Sequence, residues 1–285
     1  MSKRAEVETL TTRPDWLDVL IQRATRADGQ PPFSDGSLVE LATGARQILA
    51  VGDVAAALVS SDEAEFVVDP DARRHGHGTQ LLEALLERVP SGLKVWAHGD
   101  HKAARALAAS HGLEPVRELL QLRLQRVEPP QRVEPVETPA RNTGISTSSI
   151  RLPDDADAWL DLNARAFAHH PEQGRVTRAD LDVLAAEPWF DAEDFLLMRE
   201  GDELVGYCWL KVEHGIGEFY VVGVSPDRQG AGLGRHLVEA GLHRLAERGI
   251  RTASLYVEAD NTAAVRLYRS FGFTDHAVDI QYAAV

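Results

Sequence analysis

Two stretches of the chain repeat each other in order and nearly in register, and this duplication limits the possible folds more than any other feature. Val68-Asp69-Pro70-Asp71 is followed by Gly76-His77-Gly78, and Val224-Ser225-Pro226-Asp227 is followed by Gly232-Leu233-Gly234, with matching residues 156 positions apart. Further along, Trp96-Ala97-His98 answers Tyr256-Val257-Glu258, and Ala103-Ala104 answers Ala263-Ala264. Ser110-His111-Gly112-Leu113 answers Ser270-Phe271-Gly272-Phe273, and the separation is now 160. The larger offset predicts about one extra helical turn in the second copy. At 285 residues the chain is long enough for two domains with real cores.

The copies are divided by a stretch from Gln125 to Ser149 that holds Pro129, Pro130, Pro135 and Pro139, then polar residues from Asn142 onward. It reads as a linker. The expected organisation is a first domain over 1–124, a Pro-rich linker over 125–149 and a second domain over 150–285. Val51 to Ser60 and Leu204 to Val212 read as strands, followed by strands over Glu65 to Val68 and Glu218 to Val224. After a turn with Pro and Gly, Leu81, Leu82, Leu85 and Leu86 form the inward face of a helix; Leu237, Val238, Leu242 and Leu245 do the same in the second copy. Strands over Leu93 to Ala97 and Ala253 to Glu258 each lead into a helix that stops near Gly112 or Gly272. Arg117 to Leu124 and His276 to Tyr282 read as the last strands. The predicted fold is α/β: two tandem units, each a mixed central sheet flanked by helices.

Composition excludes several classes of function. Thirty Lys plus Arg against 44 Asp plus Glu leave a net charge of -14, which repels a phosphate backbone, so no nucleic-acid partner is expected. Charges or turn residues interrupt every apolar run well before the ~18 residues of a membrane span, so no membrane partner is expected. The single cysteine, Cys208, has no intramolecular disulfide partner, and the start of the chain lacks an apolar leader; both point to the cytoplasm. Cys208 lies in the strand-like run Val205 to Leu210 and reads as core packing rather than as a nucleophile. His169 and His170 with Glu172 do not complete a ligand spacing, so no metal is expected.

The turn Gln229-Gly230-Ala231-Gly232-Leu233-Gly234 carries the chemistry. Glycines between a strand and a helix let backbone amides converge on an anion, and the helix start adds partial positive charge. The turn reads as a diphosphate cradle. Its spacing is not that of a dinucleotide fingerprint, and the Lys-Ser/Thr pair of an ATP-type loop is missing. The first copy repeats it as Arg73-Arg74-His75-Gly76-His77-Gly78.

These turns resemble the pyrophosphate loop of the GNAT superfamily of acyl-coenzyme A N-acyltransferases, Gln/Arg-x-x-Gly-x-Gly/Ala. Gln229, Gly232 and Gly234 match it, as do Arg73, Gly76 and Gly78, and the run from Glu258 to Phe273 is also similar to that superfamily. The resemblance implies that acetyl-coenzyme A is the acyl-donor cosubstrate. Val222, Gly223 and Val224 would flank its pantetheine arm, with Gln229, Gly230, Ala231, Gly232, Leu233, Gly234 and Arg235 around the pyrophosphate and Asn261 and Arg266 as further support. In the first copy the same carry-over names Phe66, Val67 and Val68, then Arg74, His75, Gly76, His77, Gly78 and Thr79, as a second donor site.

Acyl transfer from a thioester to an amine needs a deprotonated amine and a proton for the departing thiolate. By the resemblance, Tyr268, seven residues after Asn261, is the phenol near sulfur. The position 160 residues earlier is Ala108, which has no proton to give. The second domain is therefore expected to be catalytic, and the first structural, regulatory or very weakly active. Glu218 is the general-base candidate, and Glu65 begins the analogous strand in the first copy.

The segments Ala166 to Gly174, Trp209 to Val212 and Gly217 to Val224 are similar to the mycothiol synthase family, itself a duplicated GNAT protein. That resemblance implies acetylation of the cysteine amine of cysteinyl-glucosaminyl-inositol, giving mycothiol and coenzyme A. It makes Glu172, Lys211, Glu218 and Tyr256 acceptor-contact candidates, with Glu40 added from the first copy. A monomer is expected. Two other readings stay open: a GNAT enzyme acting on protein N-termini, and a coenzyme A sensor without turnover.

Overall fold

A computed structural model describes residues 6–127, 144–168 and 173–284. Two compact units emerge among these residues, one formed by 6–120 with 258–260 and 277–284, the other by 121–127, 144–168, 173–257 and 261–276.

The first unit contains β1 (Glu8–Leu10), α1 (Asp15–Asp28), α2 (Asp35–Thr43), β2 (Gln47–Val51), β3 (Ala55–Val59), β4 (Glu63–Val68), α3 (His77–Arg88), β5 (Lys94–Ala97), α4 (Lys102–Ser110) and most of β6 (Leu113–Gln125). Strands β1 to β4 form an antiparallel meander, and β5 joins β4 in parallel. The period of two along β2 and β3 sorts the side chains into two cores. Leu49, Val51, Ala55, Ala57 and Val59 meet Leu81, Leu82 and Leu85 of α3. Ile48, Ala50, Ala56 and Leu58 meet Leu17, Leu20 and Ala24 of α1 on the opposite face.

The second unit contains β7 (Ile145–Ser149), α5 (Ala156–Ala166), α6 (Arg178–Ala185), β8 (Phe195–Glu200), β9 (Glu203–Glu213), β10 (Ile216–Val224), α7 (Leu233–Glu247), β11 (Thr252–Glu258), α8 (Thr262–Ser270) and the start of β12 (Thr274–Ala284). Strands β7 to β10 are antiparallel neighbours, and β11 joins β10 in parallel. Under α5 and α6 the core is aromatic: Trp159 stands edge-on to Trp209 at 5.8 Å, and Trp209 stacks on Phe195 at 4.3 Å. Each unit is thus a mixed sheet covered by helices, and α7 has 15 residues against 12 for α3, in line with the longer offset of the second copy.

Three boundaries differ from the sequence reading. Val51 to Ser60 is not one strand: a turn with Gly52 at φ 56° separates β2 from β3. Ile145–Ser149, read as linker, forms β7 against β8; its Ser and Thr side chains suit an edge strand with little to bury. Residues 277–284 of β12 belong with the first unit, where Ile280 to Ala283 pair antiparallel with Lys94 to Ala97.

Candidate active site

In the second unit β10 and β11 pair only over Ile216–Phe219 and Thr252–Leu255. On its other side β10 stays paired with β9 as far as Val224 opposite Gly206, with a β-bulge between Phe219 and Val221. Val222, Gly223 and Val224 therefore keep one backbone edge in the ladder while the other lies beyond the β11 register. Such an edge offers N–H and C=O groups to an extended chain laid beside it. The bulge resets the facing of the side chains: Phe219 packs beside Cys208 on the α7 side, Val221 and Tyr220 pack with Trp209 in the aromatic core, and Glu218, Tyr220 and Val222 are half-exposed.

The chain then enters the glycine turn. Gly230 (φ 80°) and Gly232 (φ 84°) occupy the left-handed region, and Gly232 starts α7 with no side chain capping the first turn. The leading amides of α7 and its partial positive charge are thus available to an anion. Arg235, in that first turn, donates to Ser270 Oγ at 2.9 Å and lies 4.8 Å over the Phe271 ring, which fixes its stem beside α8. Asn261 is engaged as a helix cap: its Oδ1 accepts from the Ala264 amide at 3.1 Å. Arg266 is exposed on α8.

Tyr268 is buried on α8, its ring 5.8 Å from Phe273 and 6.5 Å from Phe219. Burial, reinforced by the nearby Cys208, raises its pKa, so the phenol keeps its proton at neutral pH. Cys208 is fully buried, and that burial pushes its thiol pKa up, as suits a packing residue. Lys211 is the cross-strand neighbour of Glu218. Its ammonium lies 3.0 Å from Glu213 and 5.2 Å over the ring of Trp189. The Tyr256 hydroxyl accepts from Gln121 Nε2 at 2.9 Å. Trp189 and Gln121 were not anticipated: Trp189 lies in no periodic segment, and Gln121 lies in a strand whose apolar alternation marks its leucines and not its polar residues. Glu172, His169 and His170 lie outside the described residues. Among the described residues, no group of three or more His, Cys, Asp or Glu side chains is placed to hold a metal ion.

The first unit reproduces this plan with changes. Strands β4 and β5 pair only over Glu63–Glu65 and Lys94–Trp96, so Phe66, Val67 and Val68 run past the register. Gly76 (φ 89°) starts α3 without a side-chain cap, and Arg74 (φ 67°) holds the left-handed position taken by Gly230 in the other unit. A non-glycine residue there costs on the order of 1–3 kcal/mol, so the turn shape is kept against local preference. A cavity of about 530 Å³ opens beside the turn; Phe66, Val67, Val68, Arg74, Gly76, His77, Gly78 and Thr79 all line it. His75 does not, and its exposed ring lies 3.3 Å from the Ala72 carbonyl. Arg73 also lines the cavity and makes a bidentate pair with Asp28 at 2.6 and 2.7 Å, which raises its pKa.

Sheet register also corrects the pairing of acids between the copies. Glu218 lies opposite Ser254, and 160 residues earlier Lys94 lies opposite Glu63, not Glu65. The β3–β4 ladder is regular where β9–β10 carries the bulge, so β10 holds one extra residue. Glu63 is bound by Arg46 at 3.0 Å and by Gln281 Nε2 at 3.0 Å. Glu40, on α2, also accepts from Arg46, at 2.5 Å from Nε. Glu65 is buried; it accepts from the Ser34 amide at 2.9 Å and the Ser34 hydroxyl at 2.8 Å, with His98 Nε2 at 3.6 Å. Burial alone would raise the Glu65 pKa, but His98 and Ser34 bring it below the usual value. Ala108 lines the cavity. The first unit thus has the phosphate-type turn without a phenol at position 108, and its strand acids are committed to partners.

Comparison with known proteins agrees with this geometry. A family model described as Acetyltransferase (GNAT) family matches residues 54–113 and again 157–273. The chain is 50% identical over 290 residues to "Mycothiol acetyltransferase" of Clavibacter sepedonicus, spanning 98% of this chain and 94% of that one. It is 45% identical over 296 residues to the protein of the same name from Streptomyces griseus, spanning 97% and 95%. Among solved structures, a GCN5-related N-acetyltransferase from Sphaerobacter thermophilus aligns with a TM-score of 0.70 at 23% identity over 97% of this chain and 94% of its own. A tandem GNAT protein from the clavulanic acid biosynthesis pathway aligns at 0.67 with 17% identity over 97% and 98%; both likenesses concern the fold. With two matched domains and full-length relatives of this kind, the chain belongs to the mycothiol acetyltransferase family of tandem GNAT acetyltransferases.

Proposed function

We propose that the second unit transfers acetyl from acetyl-coenzyme A to the cysteine amine of cysteinyl-glucosaminyl-inositol, releasing mycothiol and coenzyme A. The observation that carries this reading is the open edge of Val222–Val224 running directly into the uncapped start of α7, a fit for a donor with an extended arm and a diphosphate. The donor supplies the activated acetyl group. Val222 and Val224 hold its arm by backbone bonds, and residues 229–235 hold its phosphates. Glu218 takes the acceptor ammonium proton through water, and the amine nitrogen forms its new bond to the acetyl carbon. As the carbon–sulfur bond breaks, Tyr268 gives its proton to the departing thiolate, and the second proton leaves the nitrogen through water to restore the phenol. Lys211, Tyr256 and Glu172 hydrogen-bond the hydroxyl-rich acceptor. The first unit binds a second coenzyme A thioester and does not turn it over.

The reaction needs a small-molecule acceptor and no metal, and we assign it to the cytoplasm as a monomer. No helix among the described residues is long and apolar enough to cross a membrane. The test is release of free thiol from acetyl-coenzyme A by the purified protein, with the cysteinyl sugar and an N-terminal peptide offered in competition. Acetylation of the sugar is expected. Preference for the peptide would give the protein N-acetyltransferase reading, and donor binding with no thiol release from either acceptor would give the sensor reading.

A further inference from the structure

The cavity of the first unit is lined by small or aliphatic side chains at positions where the second unit carries aromatic rings. In the second unit Tyr268 and Phe273 fill the space beneath the helix with rings 5.8 Å apart, and Phe219 packs on both. The positions 160 residues earlier are Ala108 and Leu113. Both line the first unit's cavity, and each is 5% exposed, so they face its interior rather than bulk water. Val95, Leu82, Leu107 and Tyr282 continue the same wall. The cavity is thus lined both by the turn from Gly76 to Thr79 and by an apolar set around Ala108 and Leu113. An apolar lining of this kind favours hydrocarbon over water.

His98 borders the cavity as part of an engaged polar cluster. His98 spends Nδ1 on Asp279 at 2.9 Å, and Glu65 spends its oxygens on Ser34. We propose that the first unit is a binding site for coenzyme A thioesters whose acyl group is longer than acetyl, the acyl chain lying against Ala108 and Leu113. This rests on the reading that the first unit binds coenzyme A, and it adds which acyl class the site selects.

The test is a calorimetric titration of the full chain with coenzyme A, acetyl-coenzyme A and hexanoyl-coenzyme A. Gly78→Glu, which puts a carboxylate into the turn, identifies the first site as the one it abolishes. At that site hexanoyl-coenzyme A is expected to bind at least tenfold tighter than acetyl-coenzyme A, because four more methylenes leave water. Ala108→Tyr should remove this preference and leave the affinity for free coenzyme A unchanged. Ala108→Leu, with folding checked by circular dichroism, should reduce the preference if the tyrosine variant does not fold. Equal or weaker binding of the hexanoyl thioester at a site that takes coenzyme A would overturn the acyl inference alone. If Gly78→Glu changed no binding event, the coenzyme A reading of the first unit would itself fall.

Discussion

His98 Nδ1 lies 2.9 Å from Asp279 Oδ2 although the two residues are 181 apart in the chain, and Glu65 stands 3.6 Å from the other ring nitrogen. Burial would lower the histidine pKa; the Asp279 hydrogen bond and the two carboxylate charges outweigh it and bring it to about 10. His98 is therefore a cation at neutral pH. Its ordinary value is 6.5, so its contribution to stability is full below that pH and is lost as pH rises towards 10. Unfolding of the wild type should show a loss between pH 6.5 and 10 that is absent in His98→Leu. That variant should cost about 3–5 kcal/mol at neutral pH, because it leaves two buried carboxylates unpaired. A His98 signal, assigned by its loss in His98→Leu, that titrates near 6.5 in the folded protein would contradict the assignment.

Tyr268→Phe keeps the ring packing against Phe219 and Phe273 and removes the only proton the residue can give. Turnover should fall about a hundredfold with little change in donor affinity. Steady-state kinetics beside a binding titration separate the two, and equal turnover in both proteins would remove Tyr268 from the chemistry.

Glu218→Gln keeps the strand geometry and takes away the base. The acetylation rate near neutral pH should drop by about a hundredfold and recover as pH rises and the amine loses its proton unaided. An unchanged rate and pH profile would exclude the role.

Gly241→Ala addresses the seat of α7 on the sheet. A methyl there would stand 2.5 Å from Phe219 Cε1 and 3.1 Å from Cys208 Sγ, so the helix must lift or the core must shift. The expected cost is about 1–3 kcal/mol, read as a lower melting temperature. A melting temperature equal to that of the wild type would mean that the helix seat yields freely.

Much of this was legible in the sequence because duplication prints the same turn and helix twice. Gly76 and Gly232 stand out since each must adopt a left-handed backbone at a helix start. The bulge in β10 was not legible: one extra residue leaves the apolar alternation intact, and only the register across β11 shows that Glu63, not Glu65, corresponds to Glu218. Nor could the destination of β12 be read. Ile280 and Tyr282 alternate in the same way whichever sheet they join, and the choice is made by distant partners, Asp279 with His98 and Gln281 with Glu63. Trp189 sits in a short connection between α6 and β8, where no periodicity marks a residue as part of a site.

Because Ile280 to Ala283 complete the sheet beside β5, the earlier half of the protein must wait for its last strand during synthesis. All of the later half leaves the ribosome before that strand does, so the unit made first is the one finished last. Clipping the tail after His276 should accordingly unmake the half that lies farthest from the cut in sequence.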